Sequence, residues 1–170
     1  MAASQEAVAA EILAAYDFGQ HSHLIDVGGS NGTFIAAAAR KHDQLKLTLF
    51  DLPAVAHIAR EKLNAAGLSH RVTVAGGSFL TDSLPEGPDV ATLIRIAHDH
   101  DDPSVLAVMT AIRRILPAHG RLIVAEPLSG MPAIAPVADA YFGLYFTAMG
   151  QGKTRTVEEI RKLGQAAGFA

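Results

Sequence analysis

The chain of 170 residues contains no cysteine. That excludes disulfides, thiolate metal sites and a thiol nucleophile together, so any base or nucleophile has to be another residue type. Charge is also sparse. Charged residues make up 18% of the sequence, the formal net charge is −3, and the basic residues are scattered rather than striped. This gives no electrostatic footprint for a phosphate backbone, and nucleic acid is not an expected partner. No apolar run approaches the ~20 residues of a membrane-spanning helix. The most hydrophobic region, Ile134 to Met149, is broken by Pro136, Asp139 and Gly143. The first residues carry Glu6 and Glu11 and lack the basic start and long apolar stretch of a signal peptide. A cytoplasmic chain is expected, peripheral to a membrane if its ligand is lipid-like.

What is present is a globular composition, 49% hydrophobic and rich in alanine, of a length that suits one domain with one core. Apolar runs of strand length, Leu24–Val27, Leu45–Phe50, Arg71–Ala75, Val90–Ile96 and Leu122–Ala125, alternate with helical stretches. The helices are predicted from a cap at Ser4 to Gly19, and over Asn31–His42, Pro53–Ala66 and Pro103–Leu116, with Gly67 as a C-terminal stop. An aromatic-rich helix, Val137–Met149, a turn at Gly150-Gln151-Gly152, and a last helix from Thr156 to near Gly168 follow. Strict β-α-β-α alternation predicts a doubly wound α/β domain with a parallel sheet and right-handed crossovers.

The first strand runs into Asp26-Val27-Gly28-Gly29-Ser30-Asn31-Gly32, which puts glycines where a ligand at the sheet edge must approach the backbone closely. The dinucleotide fingerprint fails here, since Ser30 and Thr33 stand where its second and third glycines belong. Asp26 would repel a pyrophosphate but suits a cation or an ammonium group. Asp51, at the end of the second strand, can accept both hydroxyls of a ribose. After the third strand, Gly76-Gly77-Ser78-Phe79 offers a small hydroxyl and an apolar ring where an adenine would lie. Each feature also has a plain structural explanation as a turn or cap, but all three fall at consecutive strand ends on one edge of the sheet.

These residues resemble the class I methyltransferase fold, and more narrowly the S-adenosylmethionine-dependent O-methyltransferase family that includes plant caffeate and bacterial polyketide and carotenoid enzymes. The resemblance rests on Asp26–Gly32, Phe50-Asp51-Leu52-Pro53, Gly76–Phe79, His98-Asp99-His100-Asp101-Asp102, Leu122–Pro127 and Gly152-Lys-Thr-Arg-Thr156. Within the family, the runs Arg95–Asp102 and Asp139–Gly150 look most like the hydroxyneurosporene (demethylspheroidene) O-methyltransferases of carotenoid synthesis. The resemblance implies S-adenosylmethionine as cofactor, held by Asp26, Gly28, Gly29, Ser30, Gly32, Asp51, Leu52, Ser78, Phe79, Arg95 and His100. It also implies His98 as general base and Glu126 as the carboxylate orienting it. Departures are Ser30 at the family's middle glycine, Ser78 at an adenine-side acid, His100 at a plant tryptophan and Thr154 at a second plant glutamate. By family standards an N-terminal helical dimerisation domain and a final strand pair are expected beyond this chain, with a homodimer for the full-length parent.

Methyl transfer from a sulfonium is mainly a problem of alignment, and a protonated hydroxyl is a poor nucleophile until a base removes its proton. His98 and Glu126 close adjacent predicted strands, which makes a dyad feasible. His98–Asp102 also invites a metal reading, but Pro103 suits Asp101 and Asp102 to the start of a helix, and no metal is expected. Tyr141, Phe142, Tyr145 and Met149 share one broad helical face, fit for core packing and for an apolar, hydroxylated small-molecule acceptor. The alternatives are a non-catalytic adenosine-ligand module or a methyltransferase for a phenol, polyketide or tetrapyrrole.

Overall fold

The computed structural model describes residues 2–129 and 152–170. In chain order it contains α1 (Ala2–Ala15), a short 3-10 helix (Phe18–Gln20), β1 (His23–Val27), α2 (Thr33–Lys41), β2 (Lys46–Asp51), α3 (Pro53–Ala65), β3 (Val72–Gly76) and β4 (Val90–Ile94). A second 3-10 turn (Ala97–Asp99), α4 (Asp102–Ile115), β5 (Arg121–Ala125) and α5 (Val157–Ala166) follow. The predicted helix Val137–Met149, with Tyr141, Phe142, Tyr145 and Met149, lies outside the described residues.

The five strands form one parallel sheet in the order β3-β2-β1-β4-β5. Residues of β1 are buried throughout, as expected of a central parallel strand covered on both faces. Alternation along it sends Leu24 to one core, with Leu47, Leu49, Ile35 and Leu63 from β2, α2 and α3. Ile25 and Val27 go to the other, with Leu93, Val105, Met109 and Ile112 from β4 and α4. Chain direction reverses its lateral progress between β1 and β4, and that switch point opens a crevice at the carboxyl ends of the strands.

The predicted bounds of three elements are corrected. Ser4 lies inside α1 rather than capping it, and that helix ends at Ala15 instead of Gly19. The chain leaves the helix to bury Phe18 completely, edge-on to Tyr16 and Phe34, and Asp17 caps the short turn by accepting from the Gly19 amide at 2.9 Å. Helix α2 begins at Thr33 rather than Asn31, because Gly32 takes φ +80 and the Asn31 side chain accepts from the Thr33 amide. Strand β4 stops at Ile94 rather than Ile96, since Arg95 adopts φ +57 and turns the next amides toward β5. Asp101 and Pro103 do open α4 as predicted, the Asp101 carboxylate accepting from the Ser104 amide at 3.0 Å. Gly67 terminates α3, its amide and that of Leu68 bonding back to Asn64 and Leu63.

Candidate functional site

The crevice at the switch point is a cleft of about 690 Å³. Asp26, Gly28, Gly29, Ser30, Asp51, Arg95, His98 and Asp99 line it, joined by Gln5 and Val8 of α1 and by Asn31 and Phe34. Of the predicted site residues, Asp26, Gly28, Gly29, Ser30, Asp51, Arg95 and His98 therefore meet in one place. Ser78, Phe79 and His100 lie outside this lining, although the Phe79 and His100 rings contact each other edge-on at 5.4 Å between centroids. Gly32 and Leu52 are also outside the lining. Gly32 supplies the backbone turn into α2, and Leu52 is an exposed apolar side chain before α3.

The glycine loop is packed too closely for side chains. A Cβ on Gly28 would overlap Ile96, and one on Gly29 would lie 2.7 Å from Leu49 and 2.9 Å from Asp26. Ser30 also has a positive φ, +52, in the left-handed region where glycine is at ease and a serine is strained. Its amide donates to Asp51 Oδ2 at 2.7 Å, while the Leu52 amide donates to Asp51 Oδ1 at 2.7 Å. The loop is thus tied to β2 by the same carboxylate that was expected to face a ribose. Each oxygen retains acceptor capacity, because a carboxylate offers about four lone-pair sites.

Asp26 is not the open carboxylate its place in the sequence suggested. It is 2% exposed, and its Oδ1 accepts from the Thr92 hydroxyl at 2.7 Å. Burial pushes its pKa up to about 7, partly opposed by the Thr92 hydrogen bond and reinforced by the charge on Asp51. Thr92 was not identified from the sequence, where it reads as one more residue of an apolar strand.

Glu126 follows β5 and is turned inward. Its Oε1 accepts from the amides of Ile96 and Ala97, each at 2.7 Å, and its Oε2 from the His98 amide at 3.4 Å. The same Oε2 lies 2.7 Å from His98 Nδ1, with both side chains almost wholly buried. A carboxylate can only accept, so Nδ1 carries the proton of this contact. The remaining ring nitrogen, Nε2, is 3.3 Å from Asp99 Oδ1. Glu126 therefore does two things at once: it caps the 3-10 turn and it fixes the imidazole.

A charged residue without an assigned role also belongs to this region. Arg155 is buried, and its guanidinium donates to the carbonyls of Ala97 and His100 and to the Asp102 carboxylate. The run Gly152–Thr156 is recognisable in the sequence as a motif, yet nothing in it indicates that this arginine is buried. Among the described residues no cluster of three or more metal-ligating side chains occurs, and no helix is long and apolar enough to cross a membrane.

Comparison with known proteins places the fold in a family. The family described as the O-methyltransferase domain matches residues 1–170. A demethylspheroidene O-methyltransferase from Cereibacter sphaeroides is 42% identical over the whole chain, which covers 45% of that protein. Its counterpart from Rhodobacter capsulatus is 38% identical over 99% of the chain and 42% of its own length. Among solved structures, LaPhzM superposes with a TM-score of 0.88 at 31% identity, over 97% of this chain and 49% of that one. The neocarzinostatin-pathway O-methyltransferase NcsB1, solved with S-adenosyl-L-homocysteine and 1,4-dihydroxy-2-naphthoic acid, gives 0.82 at 32% identity, over 94% and 47%. The chain spans about half the length of the relatives it matches.

Proposed function

The chain belongs to the O-methyltransferase domain family, and from that premise we propose that it binds S-adenosylmethionine and serves methyl transfer to a hydroxyl of an apolar small molecule, in the first instance a hydroxylated carotenoid. The carotenoid preference rests on the names of the two demethylspheroidene O-methyltransferases it resembles. The cofactor assignment has its own physical support. The cleft is of a size that suits a nucleoside-type ligand. Among the described residues that line it, Asp51 and Asp99 against Arg95 make a poor place for a pyrophosphate and a suitable one for a cationic amino acid moiety joined to a ribose.

When bound, S-adenosylmethionine supplies a methyl group whose C–S bond breaks, both electrons remaining on sulfur, as the acceptor oxygen forms the new C–O bond. His98 takes the hydroxyl proton on Nε2, the ring nitrogen that lies 3.3 Å from Asp99 Oδ1, while its Nδ1 proton stays held by Glu126. The carboxylate then stabilises the imidazolium that results. Asp51 orients the ribose, and the Gly28–Gly29 backbone leaves room beside it.

The observation that carries the reading is that His98, which lines the cleft, is held at 2.7 Å by the buried Glu126 behind it. Calorimetry with S-adenosylmethionine tests the cofactor, and absence of binding removes the whole proposal. The base is tested by following labelled methyl transfer to a hydroxylated carotenoid in detergent micelles with the full-length protein. His98→Gln should lower turnover by roughly 10²- to 10⁴-fold with cofactor affinity retained. Unchanged turnover would show that another group takes the proton.

A further inference from the structure

We propose that Arg155 is a positioning residue that holds the His98 imidazole in its working tautomer and place. This inference rests on the reading of His98 as the base. It comes from the way the 3-10 turn Ala97–Asp99 is gripped at both of its polar ends. Glu126 holds the amides of Ile96, Ala97 and His98. On the other side the chain before α5 holds the carbonyls. Arg155 donates through Nη1 to Ala97 and through Nη2 to His100 at 2.8 Å, and the Lys153 amide donates to the His98 carbonyl at 3.0 Å. An anion therefore satisfies the donors of the turn and a cation its acceptors, the arrangement that its peptide dipoles favour.

A guanidinium in this position is costly. Arg155 is 3% exposed, and a buried cation is tolerated only when paired and fully hydrogen-bonded. Neutral donors would serve the carbonyls at less cost, so simple saturation of hydrogen bonds does not account for a charge here. Asp102, the first residue of α4, supplies the counter-charge. Its Oδ1 accepts from Arg155 Nε at 2.8 Å, and its Oδ2 from Lys153 Nζ at 2.9 Å. Those two cations, Lys153 first, hold the Asp102 carboxyl below the usual carboxylate range. The rigid planar fork thus joins three acceptors on the turn and on α4 that a flexible ammonium cannot reach together.

Arg155 also pairs as a β-bridge with Leu128, and its carbonyl accepts from the Ser129 amide at 3.0 Å. Leu128 and Ser129 are therefore joined to Arg155 beside the turn that carries His98. Errors of about 1 Å in a reacting group can cost on the order of 10²-fold in rate, so the hold on the turn that carries His98 bears directly on the base.

The test reads the imidazole itself. In protein labelled with ¹⁵N-histidine, the His98 signal is assigned by its loss in His98→Gln. The native protein should show one tautomer, protonated on Nδ1. In Arg155→Lys that signal should broaden and move toward an average of the two tautomers, and the amides of Ala97 and His98 should exchange with solvent about tenfold faster or more. Affinity for S-adenosylhomocysteine, measured by calorimetry, should stay within about threefold, because Arg155 does not line the cleft. Asp102→Asn, which leaves the guanidinium but removes its counter-charge, should change the signal in the same direction by less. A single unaltered tautomer in Arg155→Lys, with lowered thermal stability, would overturn the proposal and leave Arg155 a packing residue. Failure of the base assignment is separately visible, as His98→Gln with normal methyl transfer.

Discussion

Asp26 sets up a conflict between holding the fold together and holding a ligand. Its ordinary pKa of 3.8 rises to about 7 in the folded chain because burial penalises the charge. Between those values the folded protein keeps a proton that the unfolded chain has shed, so stability falls as pH rises from about 4 to about 7 and is level above. Asp26→Asn keeps an acceptor for the Thr92 hydroxyl and has nothing to ionise. Its advantage in urea denaturation should grow from near zero at about pH 4 to a value on the order of 4 kcal/mol at about pH 8. A flat difference across that range would show that the native carboxyl titrates normally. The same variant should lose affinity for S-adenosylmethionine. Ser30 is the other residue under tension. Relieving its left-handed backbone with Ser30→Gly removes roughly 1 kcal/mol of strain, offset in part by the freedom glycine adds to the unfolded chain. A gain of a few tenths to about 1 kcal/mol should appear in chemical denaturation, and a loss would mean that the Ser30 side chain makes a contact that matters.

At the scale of elements, the caps decide which segments are held and which are pulled out of register. Helix α5 starts with a capping box: Thr156 Oγ1 accepts from the Glu159 amide at 3.2 Å, and Glu159 Oε2 accepts from the Thr156 amide at 2.8 Å. Because Arg155 is the residue before this cap, Thr156→Ala should cost about 1 kcal/mol and release the first turn of α5 to faster amide exchange. Unchanged exchange there would mean that packing alone holds the helix. The start of α5 at the Thr156 cap was legible from its own residues. So was the start of α4, where Asp101 and Pro103 act locally. The end of β4 was not legible, because the pull on Ile96 and Ala97 comes from Glu126, thirty residues away in sequence. Apolar periodicity cannot register such a contact, and Ile96 simply reads as one more strand residue. Ser4 misled for the related reason that capping ability says nothing about whether a better start lies two residues earlier.

Across the whole molecule, the sheet is a wall shared by two cores. Leu24 and Ile25 are neighbours in sequence, both fully buried, and they face opposite helical layers. Leu24→Ala and Ile25→Ala should each cost about 2–5 kcal/mol. Each should shift a single urea transition, since neither layer keeps its packing once β1 is lost, and two separated transitions in either variant would show that the layers fold independently. The doubly wound order was legible because strand-length apolar runs alternate with helices and leave few topologies. The cleft was legible as a set of strand ends. The burial of Asp26 and Arg155 was not, because it depends on Thr92 and on the carbonyls of a distant turn.

The position of Asp51 has one more consequence. On the proposed function it would grip the adenosine end of the cofactor, which is the same before and after the methyl group has left. Affinity gained there is uniform along the reaction and does not by itself speed it. The spent cofactor would leave as reluctantly as the fresh one arrives, so turnover would answer to the cell's ratio of methylated to demethylated cofactor more than to the amount of either. An organism that clears S-adenosylhomocysteine slowly would throttle this step without any dedicated regulator.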